Sequence, residues 1–306
     1  MSSATTQAQK GNIYTATPNQ YSGGNMEQFW YNRIEDNKKI AKSDKTKIYN
    51  LFDASKKISF GKIAPRQDGY LMGEGKYPRC TSIMAMDGMR AAALMEWAKR
   101  EIVCKIQDSL LERLAAEEEW TAMDIIEMTE SALVEPDRQR DEAADKGTAA
   151  HDNIENWLKG KEHKIDERLL VFKELWLKEG VELICTEMPL VYHQEDGLGF
   201  GGRLDILAYK DGDFFIYDNK TSKSVHQGYA LQISGYKAAV EQMSNYEIQI
   251  KGGKIIHLPD LPTLKKWQLD AYKKLGPLVE CKNLDAAFEH YKILLNQYKN
   301  RNNKYF

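Results

Sequence analysis

The stretch that most constrains this chain is residues 199–223, GFGGRLDILAYKDGDFFIYDNKTSK. Leu204, Ile206 and Leu207, then Phe214 to Tyr217, have strand-forming side chains, and Asp211-Gly212 between them suits the tight turn of a hairpin. With those two residues as the turn, Lys210 faces Asp213, and counting back along both strands sets Asp205 opposite Asp218. Side chains alternate along a strand, so Lys220 shares the face of Asp218. The hairpin therefore predicts two carboxylates roughly 5 Å apart with an ammonium beside them. Like charges so placed destabilise a sheet unless something neutralises them, and a divalent cation with oxygen ligands is the natural candidate.

A sheet carrying such a pair needs a core beneath it. The chain has 306 residues, 42% of them apolar, enough for one large domain or two small ones. Acidic residues outnumber basic ones by 45 to 43, so no overall positive field marks a nucleic-acid partner, and any such partner must be held by local patches. No stretch approaches the ~18 apolar residues of a membrane span. The N-terminus lacks the apolar run of a secretory signal and the Arg-rich pattern of a transit peptide, so the expectation is a cytoplasmic protein without a membrane partner. Cys80, Cys104, Cys185 and Cys281 form no C-x-x-C pair and read as free buried thiols.

Residues 1–25, rich in Ser, Thr, Gln, Asn and Gly, read as a flexible tail. From Met26 to about Asn50 a short docking helix is expected, with Phe29, Trp30 and Ile34 on one face. Residues 56–78 carry four glycines and two prolines and should be loop or short strands. Thr81 or Ser82 is placed to cap a helix whose Met84, Met86, Met89 and Met95 read as core filler. Two further helices are expected over 108–134, with Glu117 to Glu119 on a solvated face. Pro136 should open a new helix that sets Gly147, His151 and Glu155 at i, i+4 and i+8, one face. After a helix at about 165–179, residues 181–193 read as a strand leading to the opening hairpin. Past Lys220 the period becomes helical, with Gln232 and Tyr236 one turn apart. A second hairpin is expected around Gly252-Gly253, then a lysine-rich helical segment over 263–300.

These residues, in this order and on these element types, resemble the RecB-like exonuclease branch of the PD-(D/E)xK nuclease superfamily. Its pattern is G-x-x-x-H on a helix, an acidic residue on the first strand, G-x-x-D on the second, D-x-K on the third and Q-x-x-x-Y on the next helix. Here the matching positions are Gly147 with His151, Glu187, Gly202 with Asp205, Asp218 with Lys220, and Gln232 with Tyr236. Upstream, YPRCTSIM (77–84) followed by Ala92, Leu94 and Trp97 is similar to segments of phage exonucleases and of the mitochondrial genome-maintenance exonuclease. The resemblance covers residues 77 to about 257. Arg79 stands where the upstream segment usually has Ser, Leu204 stands where the eponymous Pro precedes Asp205, and the cysteine cluster of the iron-sulfur members is missing.

The resemblance implies an α/β PD-(D/E)xK restriction-endonuclease-like core, a mixed sheet flanked by helices, over residues 136–260. A mainly helical region over 26–135 precedes it and a C-terminal helical segment over 261–306 follows. It implies phosphodiester hydrolysis with Mg2+ or Mn2+ held by His151, Asp205, Asp218 and the backbone carbonyl of Asn219, with Glu187 as a further ligand unless a bulge turns it away. Lys220 would act on the attacking water or on phosphate charge, with Asp218 and Asp205 as the other catalytic residues. Gln232 and Tyr236 would hold the substrate backbone, with Arg90, Trp97 and Lys223 as further contacts. Helices over 80–135 would roof the site and admit a single-stranded end, Arg90, Lys99, Arg100 and Lys105 meeting phosphates and Trp97 or Trp120 stacking on bases; the same residues also fit ordinary amphipathic packing. The implied substrate is DNA with a free end, in a bacterial or phage-infected cell, with a single-strand annealing or recombination partner. A structure-specific or restriction-type endonuclease and an inactive nucleic-acid-binding subunit are the alternatives. The intact Asp205, Asp218 and Lys220 weigh against the last, because an inactive copy gains nothing from a costly pair of charges.

Overall fold

The structure, a computed structural model, describes residues 26–117 and 119–301. The tail expected at 1–25 lies outside these residues. In chain order the elements are helices α1 (Met26–Asp36) and α2 (Lys42–Ser55), strands β1 (Ile58–Ala64), β2 (Gln67–Met72) and β3 (Gly75–Pro78), then helices α3 (Cys80–Met84), α4 (Gly88–Ala115), α5 (Ala122–Leu158) and α6 (Glu167–Glu179). Strands β4 (Glu182–His193), β5 (Gly199–Lys210) and β6 (Asp213–Lys220) follow, then α7 (Gln227–Met243), β7 (Ile250–His257), α8 (Lys266–Leu275), β8 (Leu278–Cys281) and α9 (Leu284–Arg301).

The main sheet has the order β4-β5-β6-β7-β8, with β6 and β7 parallel and the other neighbours antiparallel. In β6, Ile216 pairs with Gly253 and Tyr217 with Lys254, so successive residues face opposite sides. On one side Tyr217 meets Trp176 of α6 at 5.6 Å; on the other Ile233 of α7 fills the space over Gly253. Helices thus cover both faces of a mixed sheet, the α/β architecture expected from the sequence. Residues from α1, α2, α3 and α9 join the same core, among them Ile34, Ile48, Leu51, Ile83 and Leu295. A second, three-stranded sheet, β1-β2-β3, lies against β5: Tyr70 occupies the place a Cβ on Gly201 would take, at 2.4 Å, and Arg79 bridges to Gly201. Among the described residues no helix is long and apolar enough to cross a membrane.

Several sequence expectations are corrected. The glycines of Gly252-Gly253 make no hairpin; both lie inside β7, and a Cβ on Gly253 would come within 2.3 Å of Ile233 Cγ2. Pro136 starts no helix but sits buried within the 37-residue α5, so the boundary drawn at 135/136 falls inside one continuous helix. The cap before α4 is Asp87, whose carboxylate accepts from the N–H groups of Met89 and Arg90; Thr81 and Ser82 lie within the short α3. Met84 is core, whereas Met89 and Met95 are 78% and 61% exposed. Glu117 and Glu119 are exposed, as expected, but lie in the connection between α4 and α5 and not on a helix. Met26 to Asn50 spans two helices, and the C-terminal segment includes the edge strand β8. Cys80 and Cys185 are buried, but Cys104 is exposed.

Candidate active site

The site grows from the β5–β6 turn. Asp211 and Gly212 both adopt positive φ, 52° and 96°, the pair of left-handed residues that a two-residue hairpin turn with the right twist demands. Lys210 pairs with Asp213, and the register runs without a slip to Ile206 and Tyr217. The same count sets Asp205 level with Asp218. There the strand pairing gives way to a side-chain contact: the Asn219 N–H donates to Asp205 Oδ2 at 2.9 Å.

Asp218 is fully buried, and among the described residues nothing donates to its Oδ1. Its close neighbour is the Lys220 ammonium, 2.5 Å from Oδ2. Burial pushes the Asp218 carboxyl up from its ordinary range, opposed by Lys220 and reinforced by Asp205. For Lys220 burial works against the charge, yet Asp218 and Asp205 outweigh it and hold the amine above its ordinary value. Its Nζ stands 5.1 Å over the ring of Tyr229. The pair is a firmly charged ammonium beside a carboxylate that burial disfavours, and its second buried oxygen, Oδ1, is what a cation would engage.

Glu187 joins from β4. Its neighbours pair as Thr186 with Ile206 and Met188 with Leu204, which sets Glu187 opposite Asp205; the shift in register lies earlier, between Leu183 and Cys185, and does not turn it away. Its φ of 53° is a left-handed conformation that a side chain of this size adopts at a cost. His151 reaches in from α5, with Nδ1 3.4 Å from Asp205 Oδ2. His151, Glu187 and Asp205 each offer one ligand atom, all within 4.8 Å of one another. Burial raises the Glu187 carboxyl to about 7, Asp205 and Glu155 adding to the rise and Arg203 opposing it. Glu155, one turn beyond His151, accepts the Thr186 hydroxyl at 3.0 Å and is ion-paired with Lys159. So much like charge in so small a volume, with an imidazole among it, fits a divalent cation with mixed oxygen and nitrogen ligands.

Two glycines make room for this assembly. Gly147 lets α5 approach the loop that follows β6, a Cβ there lying 3.2 Å from Thr221 Oγ1. At Gly202 a Cβ would stand 2.4 Å from the ring of Tyr236. Tyr236 is buried, its hydroxyl held well above the ordinary range by burial, with Cys80, Asp218 and Asp205 adding, and Gln232 Nε2 donates to that hydroxyl at 2.8 Å. Gln232 and Tyr236 are therefore together but buried at 9% and 4% exposure, bonded to one another beside the carboxylates.

The remaining candidates lie around the rim. Arg90 is half-buried at the start of α4, close enough to His226 to press its imidazole down, after the larger effect of burial. Lys223 is exposed in the loop after β6. Trp97 is partly buried on α4, a helix with no fully buried residue, and no described contact brings it to the carboxylates. Sequence reasoning missed Arg203, 3.4 Å from Glu187, and Tyr229 beneath Lys220. Arg203 stands two residues before Asp205, and Tyr229 three before Gln232, so strand and helix periodicity respectively could have flagged both.

A family model of the PD-(D/E)XK nuclease superfamily matches residues 96–303, more than half of the chain. No curated protein matches it.

Proposed function

The chain belongs to the PD-(D/E)XK nuclease superfamily, and from that premise we propose that it is a Mg2+- or Mn2+-dependent DNA exonuclease of the RecB-like branch. The observation that carries this reading is the meeting of His151, Glu187 and Asp205 within 4.8 Å, beside the buried Asp218–Lys220 pair. A divalent ion bound there supplies Lewis-acid polarisation of the phosphoryl group and an acidified water. Asp205, Glu187 and His151 would hold it, with Asp218 and the Asn219 backbone carbonyl completing an oxygen-rich set. The imidazole makes Mn2+ a competent alternative to Mg2+.

Lys220 is held charged, so its part is to orient the attacking water and offset charge developing on phosphate oxygens, not to take a proton. Gln232 and Tyr236 anchor the floor beneath Asp218 and keep the carboxylates in place. Arg90 and Lys223 would meet substrate phosphates at the rim. The reading as an exonuclease, rather than an endonuclease on the same core, rests on the motif order shared with the RecB-like branch. A role in phage or bacterial recombination or repair, alongside a single-strand annealing or recombination partner, goes with it.

The test is a time course on linear and closed circular DNA, single- and double-stranded, with either end labelled, in Mg2+, Mn2+ or chelator. Linear substrates should be consumed and circles persist, and chelator should stop the reaction. Circles cut as fast as linear strands would make this an endonuclease; no cleavage in either metal would end the nuclease reading.

A further inference from the structure

We infer that Phe60, Arg79 and Arg203 form a track for single-stranded DNA leading into the carboxylate cluster; only the direction of the track, into a cleavage site, rests on the function proposed above. The track begins on the three-stranded sheet. Phe60 is 48% exposed, a large aromatic left in water at the middle of β1. Its ring is held edge-on by Tyr70 at 5.3 Å, and the Arg79 guanidinium lies over it at 4.8 Å. Arg79 is half-exposed and its nearest carboxylate, Asp68, is 3.9 Å away and already bound to Lys62 at 2.8 Å. A half-exposed aromatic ring with an accessible guanidinium over it offers a nucleobase a stacking surface and its phosphate a charge.

The sheet is fixed to the active-site strand at the right place. Arg79 bridges to Gly201 and Tyr70 fills the space above that glycine, two residues before Arg203. Arg203 is 54% exposed at its side chain and 3.4 Å from Glu187, itself within the group with His151 and Asp205. The electrostatic surroundings of Tyr70 include Arg203, Arg79 and Glu187 together, so one small region holds the stacking surface, both guanidiniums and the edge of the cluster. Base stacking and successive phosphates in line suit an unpaired strand, because a duplex keeps its base faces covered. Phe60 and Arg79 lie outside residues 96–303, so that end of the track, unlike Arg203, is no part of the stretch matched by the superfamily model.

The test measures anisotropy of a fluorescein-labelled single-stranded 20-mer on the full chain in chelator, so that affinity is read without cleavage. Phe60→Ala should raise Kd about tenfold. Phe60→Leu, which keeps apolar bulk but no flat face, should lose as much, and Phe60→Trp should restore binding. Arg79→Ala should weaken binding and reduce the slope of log affinity against log salt by about 0.7, one phosphate on a single strand, while Phe60→Ala leaves that slope unchanged. The Arg79 side chain makes no cap bond to α3, so its removal spares the helix. Tyr246→Ala, at an aromatic ring still more exposed, 62%, but outside the track, should leave Kd as it is. Wild-type affinity in Phe60→Ala or Phe60→Leu, or no binding by the native chain, overturns the inference, as does tighter binding of the matching RNA or duplex. Failure of the nuclease reading would show only when metal is added back, and leaves these affinities untouched.

Discussion

The strands of the active-site hairpin and the hairpin of α4 with the first half of α5 are both rich in apolar side chains, and they use them in opposite ways. In β5, Leu204, Ile206, Leu207 and Ala208 are sealed in the core, none more than 1% exposed. On α4, Leu94, Met95, Val103, Leu111 and Leu114 all stand more than half exposed, and on α5 so do Met123, Leu133 and Val134. Apolar content alone therefore does not locate the core; what decides is whether a neighbouring layer covers the face. The carboxylates sit on the covered element, where packing fixes their spacing, and among the described residues no layer covers those side chains of α4 and α5.

The largest way to sharpen this contrast is at the covered carboxylate. Asp218→Asn or Lys220→Ala should lower the rate of metal-dependent cleavage by roughly 10²–10³-fold, with the fold intact by circular dichroism. Cleavage left unchanged would remove both residues from the mechanism. Next is the packing that holds the site. Gly202→Val forces a branched side chain into the buried ring of Tyr236 and should destabilise the protein by about 1–3 kcal/mol in urea unfolding. A midpoint equal to wild type would mean that Tyr236 is not wedged against β5.

A smaller effect follows from Glu187, whose carboxyl rises from 4.5 to about 7 on folding. A group raised in this way binds its proton more tightly folded than unfolded, so its contribution is complete below pH 4.5 and is lost as pH climbs through about 7. In chelator the native chain should therefore lose stability between those values, moderated by the 30% exposure of the side chain. Glu187→Gln imitates the protonated form and should flatten that slope, and Mn2+ should oppose the loss in the native chain. Urea midpoints at pH 5 and pH 8 read all three.

Much of the covered region was legible in the sequence because short turns fix register. Asp211-Gly212 admits one count along β5 and β6, and the loop Glu195 to Gly197 sets Glu187 against Asp205 in the same way. Legibility failed where a residue's meaning depends on something far along the chain. Gly252-Gly253 has the composition of a turn, and only the position of Ile233 on α7 reveals that it is a strand making way for a helix. Pro136 carries the local signature of a helix start, yet the helix runs through it. The burial of Gln232 and Tyr236, expected at the substrate surface, likewise depends on Gly202 from another element. The exposed methionines of α4 are the same error in reverse, since helical spacing marks an apolar face but not its partner.

The smallest effect is the one that most directly tests the opening contrast. If α4 adds no buried surface to the core, a polar residue at one of its exposed apolar positions removes nothing that folding gains. Met95→Gln, at a side chain 61% exposed, should change unfolding free energy by no more than about 0.5 kcal/mol, because glutamine matches methionine in length and helix propensity. Leu204→Ala, in the core at 0% exposed, should cost about 2–5 kcal/mol in the same urea titration. A comparable loss in the two variants would mean that α4 is covered in solution by another layer, and then repeating the titration across protein concentration separates the possibilities. A midpoint for Met95→Gln that moves with concentration identifies that layer as a second copy of the chain, and one that does not places it within the same molecule.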